Sequence, residues 1–363
     1  MQSKLLSIIM NTIPSLTKEA IKLLQSLVQT PSLSKQEDNT ATILYNFLKI
    51  HCPEVNRLKN NVWIRNLHFD AAKSTILLNS HHDTVPANKG YIRNPYDGKI
   101  ERDKLFGLGS NDAGGALVSL LATFLYFYSK ENLAYNLILA ATAEEEISGT
   151  DGIELVYAQL PKIDVAIIGE PTQMEMAIAE KGLLVIDCTV TGKAGHAARE
   201  EGENAIYKAL KDIQWFQNFQ FEKISDFLGP VKMSVTVLNA GLQHNMVPEM
   251  CTFTVDIRLN ELYTHEEILK IIAENTSCNV VPRSTRIKSS SIPVCHPLVQ
   301  SGISLGIKMY GSPTTSDKAL ISCPSLKIGP GDSARSHSAD EYIHLAEIEE
   351  GIKIYINLLA NIL

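Results

Sequence analysis

The chain has 363 residues, 45% apolar and 20% charged, with a formal net charge of -7. That size and apolar share suit an ordinary globular protein with room for two domains. The acidic balance argues against nucleic acid or an anionic membrane as partner, and no apolar run approaches the roughly 20 residues of a membrane span.

Part of the acidity reads as a carboxylate cluster neutralised by bound cations, which a formal count does not see. The opening M-Q-S-K-L-L-S-I-I-M-N has a short apolar core and no small-residue cleavage site, so we expect no signal peptide. The six cysteines (52, 188, 251, 278, 295 and 323) are scattered without a C-x-x-C pair. They read as reduced thiols of a cytoplasmic protein and offer no cysteine-based zinc site.

Leu16–Gln29 has helical spacing behind Ser15 as N-cap, and Ser34-x-x-Glu37 reads as a capping box opening a second helix to about Ile50. Asn61–Leu67 reads as a strand. Thr75–Pro86, T-I-L-L-N-S-H-H-D-T-V-P, then carries a buried-type strand straight into His81, His82 and Asp83. Ligands collect past the carboxyl ends of such strands in open α/β sheets. A His-x-Asp pair there suits a metal, with His81 ligating and Asp83 fixing its tautomer from behind.

A turn-rich loop over 86–103 leads to G-L-G-S-N-D-A-G-G at 107–115, and an apolar helix follows to about Tyr128. Asp112 therefore sits at a helix start, where its charge meets the positive end of the dipole. Asn136–Thr142 is another buried strand running into Glu144, Glu145 and Glu146, and Asp164–Gly169 is a third running into Glu170.

From about Glu180 to Pro282 the strands alternate (Leu184–Thr191, Val231–Leu238, Cys251–Leu259), with helical patterns at Asn204–Phe216 and Thr264–Glu274. This reads as an α+β insert with helices on one sheet face. The buried pattern resumes after Arg286 with a helix from Leu298 to about Tyr310 and a strand Ser325–Ile328. G-P-G-D-S-A-R-S-H at 329–337 follows, and a closing helix covers about Leu345–Leu363. We expect an α/β domain, a mixed sheet flanked by helices, built from 1–176 and 284–363 and interrupted by an insert over 177–283.

His81, Asp112, Glu145 or Glu146, Glu170 and His337 all fall at strand ends or turns. A run of glutamates is ordinarily a solvated face, but Glu144–Glu146 continue one buried strand and Glu170 ends another. Carboxylates and imidazoles meeting at one sheet edge would be untenable without cations. Two divalent metals about 3.5–4 Å apart, bridged by one carboxylate, resolve this. Mixed His/Asp/Glu ligation suits zinc, with cobalt or manganese as substitutes.

The pieces S-H-H-D-T-V-P, G-L-G-S-N-D-A-G-G, T-A-E-E-E, I-G-E-P-T, G-K-A-G-H-A-A, N-M-V-P-E, D-I-R and G-P-G-D-S-A-R-S-H-S-A-D-E-Y occur in that order. Together they resemble the co-catalytic zinc deacylase and exopeptidase family that includes acetylornithine deacetylase, succinyl-diaminopimelate desuccinylase, aminoacylase and carboxypeptidase G. The resemblance spans essentially the whole chain. It implies a zinc-exopeptidase α/β domain interrupted by a ferredoxin-like lid that usually dimerises, here a homodimer.

Carried onto these positions, the resemblance makes Asp112 bridge two zinc ions, one also held by His81 and Glu170 and the other by Glu146 and His337. It makes Glu145 the general base and leaves Glu144 as support, in a place where relatives carry Asp. His82 is set aside because His81 has the spacing to Asp83. Ala113 matches a place where the family often has a cis peptide before it. His196 matches a histidine that reaches the partner subunit's site and stabilises the oxyanion. Asn245 and Arg258 match substrate-binding residues, Arg258 being suited to an α-carboxylate. Gly331, with Gly329, would leave room for substrate backbone.

Gly114, where many relatives have Lys, and Lys318, where they often have a small residue, depart from the pattern, and Arg335 raises the same question about specificity. The implied activity is removal of an N-acyl group from an α-amino acid, with N-acetylornithine in arginine biosynthesis the specific expectation. Deacylation of N-acetyl- or N-succinyl-citrulline or ornithine, desuccinylation of succinyl-diaminopimelate and dipeptide cleavage are its rivals. A non-catalytic amino-acid-binding protein on the same fold is the alternative of another class, and the complete ligand set with Glu145 argues against it.

Overall fold

A computed structural model describes residues 12–199 and 201–363; the opening residues that bear on a signal peptide lie outside them. In chain order the main elements are α1 (Ile13–Val28), α2 (Asp38–His51), β1 (Val55–Leu58), β2 (Asn61–Arg65), β3 (Thr75–His81), α3 (Gly115–Phe127), β4 (Asn136–Thr142), β5 (Val165–Ile168) and β6 (Met176–Glu180). They continue with β7 (Gly182–Thr191), α4 (Ala205–Asn218), β8 (Lys232–Ala240), β9 (Met250–Leu259), α5 (His265–Asn275), β10 (Asn279–Pro282), α6 (Pro297–Ser304), β11 (Ser325–Lys327) and α7 (Leu345–Ala360). The chain divides into two compact units, one running through Ile178 and resuming at Ser291–Tyr310 and Ser316–Leu363, the other Ala179–Ser290 with Gly311–Thr315.

In the first unit the sheet runs β1-β2-β4-β3-β5-β11-β6. β3 is parallel to β4 and β5, and β11 is parallel to β5, while β2 joins β4 antiparallel. β3 and β4 are buried at every position, which is why they read as unbroken apolar runs. Ile76 and Leu78 of β3 face a core shared with Leu24 of α1, Phe124 of α3 and Ile352 of α7. Leu77 turns the other way, into a smaller cluster with Ile138, Ala166 and Val156. Parallel register brings the carboxyl ends of β3, β4, β5 and β11 to one edge, so the segments leaving those strands carry the acidic and histidine residues together.

The second unit is an antiparallel sheet in the order β8-β9-β7-β10. Leu184, Ile186, Cys188 and Val190 of β7 point to one face, where Ala209 and Phe216 of α4 and Ile268 and Ile272 of α5 cover them. Thr264 and Glu267 cap α5 reciprocally. This strand order and helix placement is the ferredoxin-like arrangement. Among the described residues no helix is long and apolar enough to cross a membrane.

Several local expectations are corrected. α1 starts at Ile13 behind Thr12, not behind Ser15. The expected capping box does not form. α2 starts at Asp38; Ser34 Oγ donates instead to Asp83 Oδ2 (2.7 Å). The buried Glu37 carboxylate accepts from the backbone N–H groups of Lys35 and Glu144 and from Asn60. A fully buried carboxylate needs donors wherever the fold supplies them, and that need outweighs a local cap. α6 ends at Ser304 because Gly306 takes a positive φ of 77°, and Met309–Ser312 is a strand. One local expectation holds: the peptide bond before Ala113, from Asp112, is cis.

Gly114 has a steric explanation. A Cβ there would lie 2.4 Å from the Gly109 carbonyl oxygen and 2.6 Å from Leu24 Cδ1. Gly114→Ala should therefore lower stability by about 1–3 kcal/mol through overpacking, measured as a lower urea midpoint at unchanged slope. An unchanged midpoint would show that the loop and α1 can part without cost.

Candidate metal centre

His81 closes β3 and is 1% exposed. Its Nδ1 lies 3.0 Å from the Asp83 carbonyl oxygen. Its Nε2 faces Asp112 Oδ1 at 3.4 Å, Glu170 Oε1 at 3.7 Å and Glu145 Oε2 at 3.9 Å, yet has no hydrogen-bond partner of its own. On the other side of Asp112, Oδ2 is 3.6 Å from His337 Nε2, which lies 3.0 Å from Glu146 Oε2.

Two ligand groups result: His81, Asp112 and Glu170; and Asp112, Glu146 and His337, with the donor atoms of each group within 4.8 Å of one another. Asp112 belongs to both and turns one oxygen toward each. All of these residues belong to the first unit.

The electrostatics are those of a site short of positive charge. Burial pushes His81 down, but Asp112, Asp83, Glu145 and Glu170 override it and hold the imidazole well above its usual value. Burial holds the Glu145 carboxyl well above the usual range; His81 opposes this, while Glu170, Asp317 and Glu146 add to it. The Glu146 carboxylate beside His337 pushes that imidazole up to about 9. A buried, unpartnered imidazole nitrogen among carboxylate oxygens is what a divalent cation would satisfy, and the nitrogen and oxygen donors suit zinc-like ions. The residues fit the expected metals.

Glu145 and Glu146 sit on a short 3-10 turn, Glu145–Ile147, between the left-handed residues Glu144 and Ser148. Consecutive positions on that turn send Glu145 toward His81 and Glu146 toward His337. Asp83 holds the turn. Its Oδ1 accepts from the Glu145 N–H (3.0 Å) and its Oδ2 from the Glu146 N–H (3.2 Å). Asp83 also backs His81, its carbonyl oxygen lying 3.0 Å and its carboxylate Oδ1 3.5 Å from Nδ1.

The other motif residues separate clearly. His82 spends both ring nitrogens, on Thr40 Oγ1 and on the Asn60 carbonyl, each at 2.9 Å; burial pushes its pKa down to about 4. Glu144 accepts from the Asp151 N–H rather than facing the metal groups. Gly331 (φ 95°) is buried; a Cβ there would meet Asn111 Oδ1 at 2.6 Å, and at Gly329 it would meet the Glu170 carbonyl oxygen at 2.4 Å. Neither position has room for a side chain of its own.

Lys318 is buried and donates to the Ala177 carbonyl. Arg335 forks onto Glu347 at the start of α7.

His196, Asn245 and Arg258 belong to the second unit. His196 is exposed and pairs with Met246 on a short ladder, and Ala197 N donates to the Asn245 carbonyl. The Arg258 fork is engaged by Asp256, at 2.8 and 3.1 Å.

Two residues to which the sequence assigns no role at the site support it. Glu37 holds Glu144 by its N–H. The Glu341 carboxylate accepts from the N–H groups of Gly109, Asn111 and Asp112; burial pushes it up to about 7 against those three donors. Only the A-D-E-Y context marks Glu341 in sequence, and nothing there names its partners.

A model described as peptidase family M20/M25/M40 matches residues 77–361. The chain is similar to succinyl-diaminopimelate desuccinylase 2 of Ruegeria sp. (strain TM1040), at 25% identity over 94% of both chains. It is similar also to acetylornithine deacetylase of Buchnera aphidicola subsp. Schizaphis graminum (strain Sg), at 26% identity over 94% of this chain and 97% of the other. Among solved structures, a dinuclear metal binding peptidase of the M20 family from Bacillus subtilis superposes with a TM-score of 0.70 at 15% identity, covering 95% and 98%. That last likeness is one of fold.

Asp83 should be felt through the turn it holds. Ser34→Ala and Asp83→Asn should each cost about 1–3 kcal/mol and show coupling in a double-mutant cycle by chemical denaturation. Strict additivity would mean that the Ser34–Asp83 hydrogen bond contributes nothing.

Proposed function

The chain belongs to peptidase family M20/M25/M40, and from that premise we propose that it hydrolyses the amide bond of an N-acyl-α-amino acid with the help of two divalent metal ions. The observation that carries this reading is the sharing of Asp112 between two ligand groups. His81, Asp112 and Glu170 would hold one ion, and Asp112, Glu146 and His337 the other. Zinc is our choice, with cobalt or manganese able to substitute. The Bacillus subtilis neighbour, described as dinuclear, supports the count.

When bound, such ions polarise the amide carbonyl and make water easier to deprotonate. Glu145 takes the proton from the attacking water and returns it to the leaving amine. Asp83 keeps Glu145 in place through the turn's amides. His196 stabilises the oxyanion in the site of a second copy, with 177–283 as the lid and dimerisation domain. Asn245, Gly331 and Arg258 contact the substrate, Arg258 exchanging Asp256 for the α-carboxylate. Motif order supports these last roles.

For the acyl group we favour acetyl, and for the substrate N-acetylornithine. A succinyl group ends in a carboxylate that needs a cation. Of the cations on the motif segments, Lys318 is committed to Ala177 and Arg335 to Glu347, and Arg258 is assigned to the α-carboxylate. Desuccinylation of succinyl-diaminopimelate is the second reading, favoured by the name of the Ruegeria relative.

Assays of acetylornithine, acetylcitrulline, succinylornithine, succinyl-diaminopimelate and simple dipeptides with zinc or cobalt should show acetylornithine turned over fastest. A faster succinyl substrate would replace the acetyl assignment. Glu145→Ala should lower kcat by roughly 10²–10⁴-fold with zinc content unchanged, and full activity in that variant would remove the base. Mixing His196→Ala with Glu145→Ala subunits should restore part of the activity; no recovery counts against a role across subunits.

A further inference from the structure

The segment that brings Asp112 into the site and the segment that brings His337 are stitched together along their length. Lys104–Phe106 pairs antiparallel with Tyr342–His344. Beyond that ladder, Gly107 N donates to the Glu341 carbonyl at 2.8 Å. The Glu341 side chain then takes over: Oε2 accepts from the Gly109 N–H at 3.1 Å, and Oε1 from the N–H groups of Asn111 at 2.8 Å and Asp112 at 2.9 Å. The Asn111 side chain closes the stitch, donating to the Asp332 carbonyl at 3.1 Å and accepting from the Asp332 N–H at 2.9 Å.

Glu341 is 1% exposed, so its carboxylate faces backbone rather than water. It lies on the His337 segment and grips the Asp112 loop. The loop needs such a grip. Gly107 and Gly109 have positive φ values of 143° and 77°, and the three N–H groups are not part of a regular helix or sheet. Without an acceptor, buried amides of this kind cost free energy and the loop would relax toward water.

We propose that Glu341 is a positioning residue for metal capture: by binding the Gly109, Asn111 and Asp112 amides it locks Asp112 in register with His337, so that both ligand groups are preformed. This rests on the dinuclear reading above. Glu341 touches neither metal nor substrate; it acts through the peptide that carries the bridging carboxylate. The loss of such an outer partner typically weakens metal binding by roughly 10–100-fold.

The test is titration of zinc into metal-free wild type, Glu341→Ala and Glu341→Gln, alongside thermal unfolding of each zinc-free protein. Glu341→Ala should bind zinc roughly 10–100-fold more weakly. Glu341→Gln keeps one acceptor oxygen for Asn111 and Asp112 and should fall between it and wild type. The kcat of each variant should recover at saturating zinc with KM unchanged.

A purely structural residue would lower the melting temperature while leaving zinc affinity intact, and wild-type zinc affinity in the folded variants overturns the clamp. If Glu341→Ala does not fold, Glu341→Gln decides by the same criterion. A wild type that takes up no zinc overturns the dinuclear reading itself, and the clamp with it.

Discussion

Everything at the sheet edge answers to one constraint: several carboxylates and two imidazoles meet where parallel strands end, all but His337 largely shielded from water. Buried anions of like sign raise one another's energy, and a low local dielectric magnifies this. Burial raises the Glu145 carboxyl, and the neighbouring carboxylates raise the His81 and His337 imidazoles. The arrangement makes physical sense only if the front of the site offers compensation of positive sign.

Behind the site a different compensation operates. Asp83, Glu37 and Glu341 are buried carboxylates with backbone N–H donors on their oxygens. Each fixes a segment that leaves a strand or enters a helix: Asp83 the Glu145–Glu146 turn, Glu37 the Glu144 amide and Glu341 the Asp112 loop. Backbone amides carry no net charge, so they satisfy lone pairs without neutralising the anion. Carboxylates with amide partners shape the site, whereas Asp112, Glu145, Glu146 and Glu170 turn toward its interior.

This division explains what could be read in the sequence. The strands and the candidate ligands at their ends are legible because a buried parallel strand carries an apolar run and its end is a fixed place. His81, the Glu144–Glu146 run and Glu170 announce themselves by following such runs; His82 yields to His81 on spacing, and the choice among the glutamates comes from the family resemblance. The supporting carboxylates were not legible, since a clamp is defined by the amides it meets.

Ser34 and Glu37 illustrate the failure. Their spacing matches a capping box, and a local rule assigns them to the start of a helix. The fold sends them to Asp83 and Glu144 instead. Asp83 shows a subtler version: the spacing sets it behind His81, but does not encode that its carboxylate also holds the Glu145 and Glu146 amides.

Substrate choice is harder still, for an energetic reason. Metal ligation needs particular side chains at particular strand ends, and an error there is costly. The difference between an acetyl and a succinyl group is a single carboxylate and its cation, and any exposed Lys or Arg can supply that partner from many positions. Arg335 is tied to the start of α7 and Lys318 to a backbone carbonyl. A succinyl carboxylate that took either as its partner would displace an existing bond, giving back part of what it gained, whereas an acetyl methyl makes no such demand.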